Sequence, residues 1–311
     1  MRAAWVIILV AAVAAASYFG WQQFGAAPGT ETVRELSDPS TERFVEVAGA
    51  TVRVREEGPE GAPVILLLHG FSFSLETWDA WAEALSASYR VVRYDLLGHG
   101  ETGPDPFERY APAQRAAFIA DVMDALGHEQ VILGGNSLGG LAAWRFAANN
   151  PERVGALILV SPGAYPINGV ADEPVPVPPA VALYLRAVPE MGLRASLKRI
   201  YADPGVISEE RIETIGEKMR RPGNGEAMVR SLEEFVLPDP TAELANVEAP
   251  TLVLWGEADQ VIPPSHGQWL VDAIPNAELI TYPGVGHVAH EERPEATLKD
   301  VEAFLDQQRG M

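Results

Sequence analysis

The segment that most restricts the fold is Gly135-Asn136-Ser137-Leu138-Gly139-Gly140. It follows the apolar run Val131-Ile132-Leu133 directly and opens a stretch with helical spacing, Leu138 to Ala148, holding Leu141, Ala142, Trp144 and Phe146. Side chains two residues either side of a central serine would collide in a turn that tight, and glycine stands at both places. The chain is therefore expected to pass from a buried strand into a helix with no loop between them, which requires a sheet with helices packed on its faces.

The remaining apolar pattern agrees. Phe44-Val45-Glu46-Val47 and Thr51-Val52-Arg53-Val54-Arg55 alternate around Gly49, the pattern of an antiparallel hairpin. Pro63 to Leu68, Val91 to Tyr94, Ala156 to Val160 and Thr251 to Trp255 are near-continuous apolar runs, with a weaker one at Leu279 to Tyr282. Such runs suit strands buried on both faces, as in a parallel sheet. Between them, Pro112 to Leu126 and Pro294 to Gln307 have helical periodicity. The alternation predicts an α/β fold with a mostly parallel, doubly wound sheet. It breaks after Ser161: seven prolines fall between Pro162 and Pro189, and mixed-charge helical segments follow at Val181 to Arg186, Leu193 to Tyr201 and Glu209 to Met219. Residues 162–240 are expected to form a cap inserted after the sixth strand, dividing a core of residues 43–161 and 241–311.

A serine hydroxyl needs a base to act as a nucleophile at neutral pH. Of six histidines, His287 lies in a loop just after the last strand candidate, where a parallel sheet opens on the same edge as Ser137. Asp259 and Glu257, both after the strand Thr251 to Trp255, are candidates for the carboxylate that orients it. An oxyanion site needs two backbone donors. The N–H of Leu138, next after the serine, and that of Phe71, in His69-Gly70-Phe71 after the strand Val64 to Leu68, are placed for this, with Gly70 permitting close approach.

These features together resemble the α/β-hydrolase superfamily. His69-Gly70-Phe71 is similar to its oxyanion loop, Asp95-Leu96-Leu97-Gly98-His99-Gly100 to its D-x-x-G-x-G turn, and the segment from Gly135 to Gly140 to its nucleophile elbow. Trp255-Gly256-Glu257-Ala258-Asp259 resembles its acid loop, and Gly286 to Pro294 its G-H-x-x-H-x-E-x-P ending. The match spans residues 43 to 308 in the family's order. It implies a triad of Ser137, Asp259 and His287, with Asp259 preferred over Glu257, an oxyanion hole of Phe71 and Leu138, and supporting roles for His69, Gly70, Gly135 and Gly139. Structural roles are implied for Asp95, His99 and Glu292. His290 is expected to be packed or hydrogen-bonded, His128 and His266 to lie at the surface, and Trp78 and Trp81 to pack a helix face. Tyr184, Leu185, Leu193 and Leu197 could line a pocket or fill the cap's core.

Serine at position 137 argues against branches that use aspartate there, the dehalogenases and epoxide hydrolases. The leading expectation is a carboxylic-ester hydrolase acting on a small molecule with an apolar acyl or alcohol part, needing no cofactor and no metal. The elbow also resembles that of carbon–carbon bond hydrolases acting on ring-fission products, which carry tryptophan after the catalytic histidine, where Val288 stands here. Perhydrolases share the triad, and a non-catalytic binding protein on this scaffold is the alternative of a different class. A histidine base predicts activity that falls on acidification.

Composition narrows the partners. Acidic residues outnumber basic ones, 43 to 23, for a net charge of −20, which opposes nucleic-acid binding. The absence of cysteine removes disulfides, thiolate metal sites and thiol nucleophiles. Ala3 to Trp21 is free of charge over 19 residues, close to the roughly 20 that span a bilayer, while Ala14-Ala15-Ala16 offers a signal-peptide cleavage site. Residues 1–24 are therefore expected to be a membrane anchor or a cleaved leader, 25–42 a polar tether, and the body exported, either anchored facing outward or secreted.

Overall fold

The computed structural model describes residues 41–309. The anchor or leader and all but the last two residues of the tether lie outside them. Among the described residues, no helix is long and apolar enough to cross a membrane.

In chain order the elements are β1 Glu42–Val47, β2 Ala50–Glu57, β3 Val64–Leu68, α1 Asp79–Leu85, β4 Arg90–Tyr94, α2 Pro112–Leu126, β5 Val131–Asn136, α3 Ser137–Asn149 and β6 Val154–Val160. Then come α4 Pro179–Ala187, α5 Glu190–Ile200, α6 Glu209–Met219, α7 Asn224–Glu233, α8 Thr241–Leu244, β7 Thr251–Gly256, α9 Ser265–Ala273, β8 Ala277–Tyr282, α10 Ala289–Glu292 and α11 Pro294–Arg309. The strands form one eight-stranded sheet in the order β1-β2-β4-β3-β5-β6-β7-β8. β1 and β2 pair antiparallel, as do β2 and β4; every later pairing is parallel. The hairpin closes through Ala48 and Gly49, both at positive φ (45° and 81°), the turn geometry whose twist matches that of the strands.

Alternation along the parallel strands builds two cores. Leu66 and Leu68 of β3, with Leu157 and Leu159 of β6 and Val253 of β7, join the cluster under α2 and α3. Their neighbours Ile65, Leu67, Ile158, Val160, Leu252 and Leu254 join the cluster of Trp78, Trp81 and α11 on the opposite face. Successive side chains point to opposite faces, so covering both faces makes both sets apolar, which is why the runs read as continuous. α2 has the bounds its sequence suggests: Pro112 occupies the first turn, and Gly127 ends the helix in the left-handed region at φ 78°.

Helices α4 to α7, between β6 and β7, carry a third core in which Leu185, Leu193, Leu197, Ile215 and Met219 pack with Phe73 and Val288 from the sheet side. Helix α6 is fastened to the sheet domain at both ends. In its first turn Arg211 bonds Glu291 through Nη2 (2.8 Å) and Nε (3.1 Å). In its last turn the buried Lys218 bonds Glu101 and approaches Glu76, which in turn pairs with Arg53 at 2.8 Å. Arg53 reaches on to Glu42 and Asp95.

These pairs set the acid response. Burial alone would raise the carboxyls of Glu42, Glu76 and Glu291, but the adjoining arginines (with Lys218 at Glu76) hold them below the usual range; the neighbouring His128 ring and Arg43 bring Glu56 down to about 2. A carboxyl depressed in the folded state contributes stability that is present above its unfolded pKa, about 4.3, and lost as pH falls through the folded value. The melting temperature is therefore expected to be level from pH 7 to about 5 and to drop steeply below about 4. A scan of melting temperature against pH checks this, and a level profile down to pH 3 would contradict it.

Candidate active site

β5 is central in the sheet, and its last residue, Asn136, passes directly into α3. Ser137 takes the turn at φ 52°, a left-handed conformation that costs a non-glycine residue of the order of 1 kcal/mol. The steric reading of its neighbours holds. A Cβ on Gly135 would lie 2.5 Å from the Gly139 carbonyl oxygen, and one on Gly139 would lie 2.4 Å from that of Leu68. Gly70 meets the same limit from the other side, since a Cβ there would approach Asn136 Oδ1 to 2.7 Å. Glycines at these three points let the loop after β3 close onto the elbow.

His287 follows β8 and Asp259 follows β7, so both come from the edge of the sheet where β5 delivers Ser137. His287 Nδ1 lies 2.8 Å from Asp259 Oδ2, and both residues are nearly buried. The other carboxylate oxygen, Oδ1, accepts from the N–H groups of Val261 (2.7 Å) and Ile262 (3.0 Å). With both oxygens of Asp259 engaged as acceptors, Nδ1 of the neutral imidazole carries the proton and Nε2 has its lone pair free. Glu257, the other acid considered, bonds Thr281 at the surface and does not reach His287.

Ser137, His287, Asn136, Gly70 and Phe71 wall one cavity of about 250 Å³. Phe73, Val181, Leu185, Ile200, Met219, Leu232 and Val261 give it a mainly apolar lining, and Tyr184, Ser196 and Arg199 supply polar groups from the cap. Tyr184 and Leu185 thus line the cavity, whereas Leu193 and Leu197 belong to the cap's core. Leu138 is buried behind Ser137 in the first turn of α3, where backbone N–H groups have no intrahelical acceptor. His69 is fully buried beneath the loop after β3. Its Nδ1–H donates to Gly70 O (2.8 Å) and its Nε2 accepts from Leu96 N–H (2.9 Å). Burial drives its pKa down, so it is a neutral brace fixing the backbone that carries Phe71.

Further hydrogen bonds hold the site, most of them between residues far apart in sequence. The Asn136 amide donates to Val160 O (3.0 Å) and to His287 O (3.2 Å), tying the elbow to the histidine loop. Glu292 accepts from Gly286 N–H (2.7 Å) on one oxygen and from Ala202 N–H (3.0 Å) on the other. His287 N–H donates to Ile200 O at the end of α5 (2.7 Å). The histidine loop and the cap are therefore joined next to the cavity. The one local signal for Asn136 is a polar side chain within an otherwise small and apolar segment.

The other histidines take structural places. His290 is buried, stacked on Trp78 at 4.0 Å and bonded to Thr77 (2.9 Å), and burial pushes its pKa down to about 3. Trp78 and Trp81 are fully buried in packing, away from the cavity. Asp95 accepts from Leu75 N–H and Glu101 N–H, closing the turn that holds His99. His266 departs from its expected surface position. It is buried because Trp269 stacks on it at 4.7 Å and Tyr165, from far earlier in the chain, meets it edge-on at 5.6 Å. His128 is half-buried, 3.8 Å from Glu56. Among the described residues, no cluster of acidic residues and histidines could hold a metal.

Comparison with known proteins identifies the family of this fold. The family described as alpha/beta hydrolase fold matches residues 63–294. A 2-hydroxy-6-oxononadienedioate/2-hydroxy-6-oxononatrienedioate hydrolase of Burkholderia vietnamiensis is 32% identical, the alignment covering 89% of this chain and 99% of that one. A 2-hydroxy-6-oxo-6-phenylhexa-2,4-dienoate hydrolase of Burkholderia cepacia is 29% identical over 84% of this chain and 95% of its own. Among solved structures, a membrane phospholipase A described as a bacterial virulence factor superposes with a TM-score of 0.75 at 27% identity, covering 87% of each chain. With its sheet order, strand-to-helix turn and buried histidine–aspartate pair, this chain belongs to the alpha/beta hydrolase fold family and is a hydrolase.

Proposed function

We propose that the chain hydrolyses carboxylic esters with an apolar acyl or alcohol part, through a triad of Ser137, His287 and Asp259. The observation that carries this reading is the buried His287–Asp259 contact of 2.8 Å, with the histidine walling the same apolar cavity as Ser137 on its left-handed turn. His287 Nε2 takes the Ser137 proton as Oγ attacks the ester carbonyl. The N–H groups of Phe71 and Leu138 hold the oxyanion. The proton then passes to the leaving alcohol, and water, deprotonated by the same histidine, releases the acid and restores Ser137. Asp259 keeps the imidazole in its tautomer and supports the imidazolium formed in each step.

A second reading keeps the same residues and breaks a carbon–carbon bond in a vinylogous dienone acid. It is favoured by the activities for which the two relatives from Burkholderia are named. Val288 weighs against it: it stands where the resembling carbon–carbon hydrolases carry tryptophan, and it is buried in the cap's core. p-Nitrophenyl esters from acetate to palmitate, assayed beside loss of dienone absorbance, separate the two. The expected result is ester turnover that peaks at short to medium chains, because about 250 Å³ holds a limited acyl group. Dienone turnover exceeding that of every ester would replace the first reading with the second.

A further inference from the structure

Apart from His287, the cavity is lined by neutral residues with one exception. Arg199 is the lining residue that carries a permanent charge. It is partly exposed and, among the described residues, has no ion pair or hydrogen bond to any carboxylate. Arg53, Arg93 and Arg211, by contrast, are paired with carboxylates, in a chain where 43 acidic residues face 23 basic ones. Ser196 and Ile200 line the cavity from the same helix, α5, and the spacing 196, 199, 200 puts the three on one face. The Tyr184 hydroxyl lies 2.9 Å from Ser196 Oγ, so a polar strip runs across the cap side of an otherwise apolar chamber. The strip is held fixed relative to the reacting groups, because the carbonyl of Ile200, the residue after Arg199, accepts the His287 backbone N–H at 2.7 Å.

We propose that Arg199 is a specificity-determining residue that binds a carboxylate on the substrate. The substrate is then an amphipathic monoanion: an apolar body with a carboxylate at the end remote from the bond to be broken. A guanidinium engages a carboxylate through two parallel N–H bonds. A phosphate dianion would call for more than one cation, and the lining supplies a single permanent one. Pairing at Arg199 positions the far end of the substrate while the apolar walls hold its middle against Ser137. The proposal rests on the assignment of this cavity as the substrate site.

Matched substrates test it. Mono-p-nitrophenyl adipate carries a remote carboxylate, and p-nitrophenyl hexanoate is its neutral counterpart. The wild type is expected to favour the adipate hemiester in kcat/KM by about tenfold, the equivalent of one charge-assisted pair. Arg199→Gln is expected to bring that ratio to about one, chiefly through KM of the hemiester, and Arg199→Lys to restore it in part. A ratio that Arg199→Gln leaves unchanged overturns the proposal, even where Ser137-dependent ester cleavage is found. Calorimetric binding of adipate to Ser137→Ala, with and without Arg199→Gln, needs no turnover. Binding weakened about tenfold by the second substitution supports the carboxylate site whether or not the esters are cleaved; absent cleavage would then count against the ester reading alone. Equal binding to both proteins overturns the site.

Discussion

Ser137→Ala is expected to lower kcat for ester hydrolysis by about five to six orders of magnitude, leaving a residual rate from the oxyanion donors and binding alone. The fold should persist, because alanine fits the space of serine and the turn is imposed by the contacts at Gly135 and Gly139. Ser137→Gly is expected to be as inactive and about 1 kcal/mol more stable, since the residue at φ 52° is freed from its steric cost. Asp259→Asn should cost about 10⁴-fold in kcat. Its Oδ1 would still accept from Val261 and Ile262 N–H, which puts the new amide NH₂ against His287 Nδ1. That ring nitrogen must then accept, and the proton moves to the nitrogen that has to act as the base. Burst titration with p-nitrophenyl acetate, with circular dichroism to verify folding, checks all three. Turnover of Ser137→Ala within tenfold of the wild type would remove Ser137 from the mechanism.

The sheet was legible because a strand covered on both faces has no solvent-facing positions to interrupt it. Ile65 and Leu66 belong to different cores, yet both must be apolar. Helix α2 was legible from Pro112 and Gly127. Helix α7 was not, because Asn224-Gly225 reads as a turn; what starts the helix there is tertiary, the Asn224 amide donating to Gly100 O and Lys218 O. Ser137, Asp259 and His287 stand in short local patterns whose spacing records their geometry. Asn136, Arg199 and His266 owe their roles to partners that only folding supplies: a carbonyl 151 residues along the chain from Asn136, a cavity closed by the cap, and the ring of Tyr165 against His266.

The largest loss of stability is expected at the joint between cap and histidine loop. Glu291 is largely enclosed and accepts from Arg211, from the Tyr201 hydroxyl (2.7 Å) and from Thr77. Thr77 Oγ, having donated to Glu291, can accept from His290 Nε2–H, so the stack on Trp78 is tied to the same carboxylate. Arg211 also lies over the Phe73 ring, 5.6 Å from its centroid, where that ring walls the cavity. Arg211→Met keeps the volume and removes the charge, leaving a buried carboxylate with two hydroxyl donors. Such breakage costs about 3–5 kcal/mol, or a melting temperature lower by roughly 10 °C in a domain of this size. The double variant Arg211→Met/Glu291→Leu removes both charges and should recover most of that loss, because the penalty in the single variant is the uncompensated carboxylate and not the missing attraction. Thermal denaturation of the four proteins forms the cycle. A double variant as unstable as Arg211→Met would show that packing around α6, and not the charge pair, holds the cap. Because Tyr201 follows Ile200, whose carbonyl holds the His287 N–H, the single variant should also lose kcat at temperatures well below its melting point. The double variant should regain it only as far as the α5 terminus returns to its place beside His287.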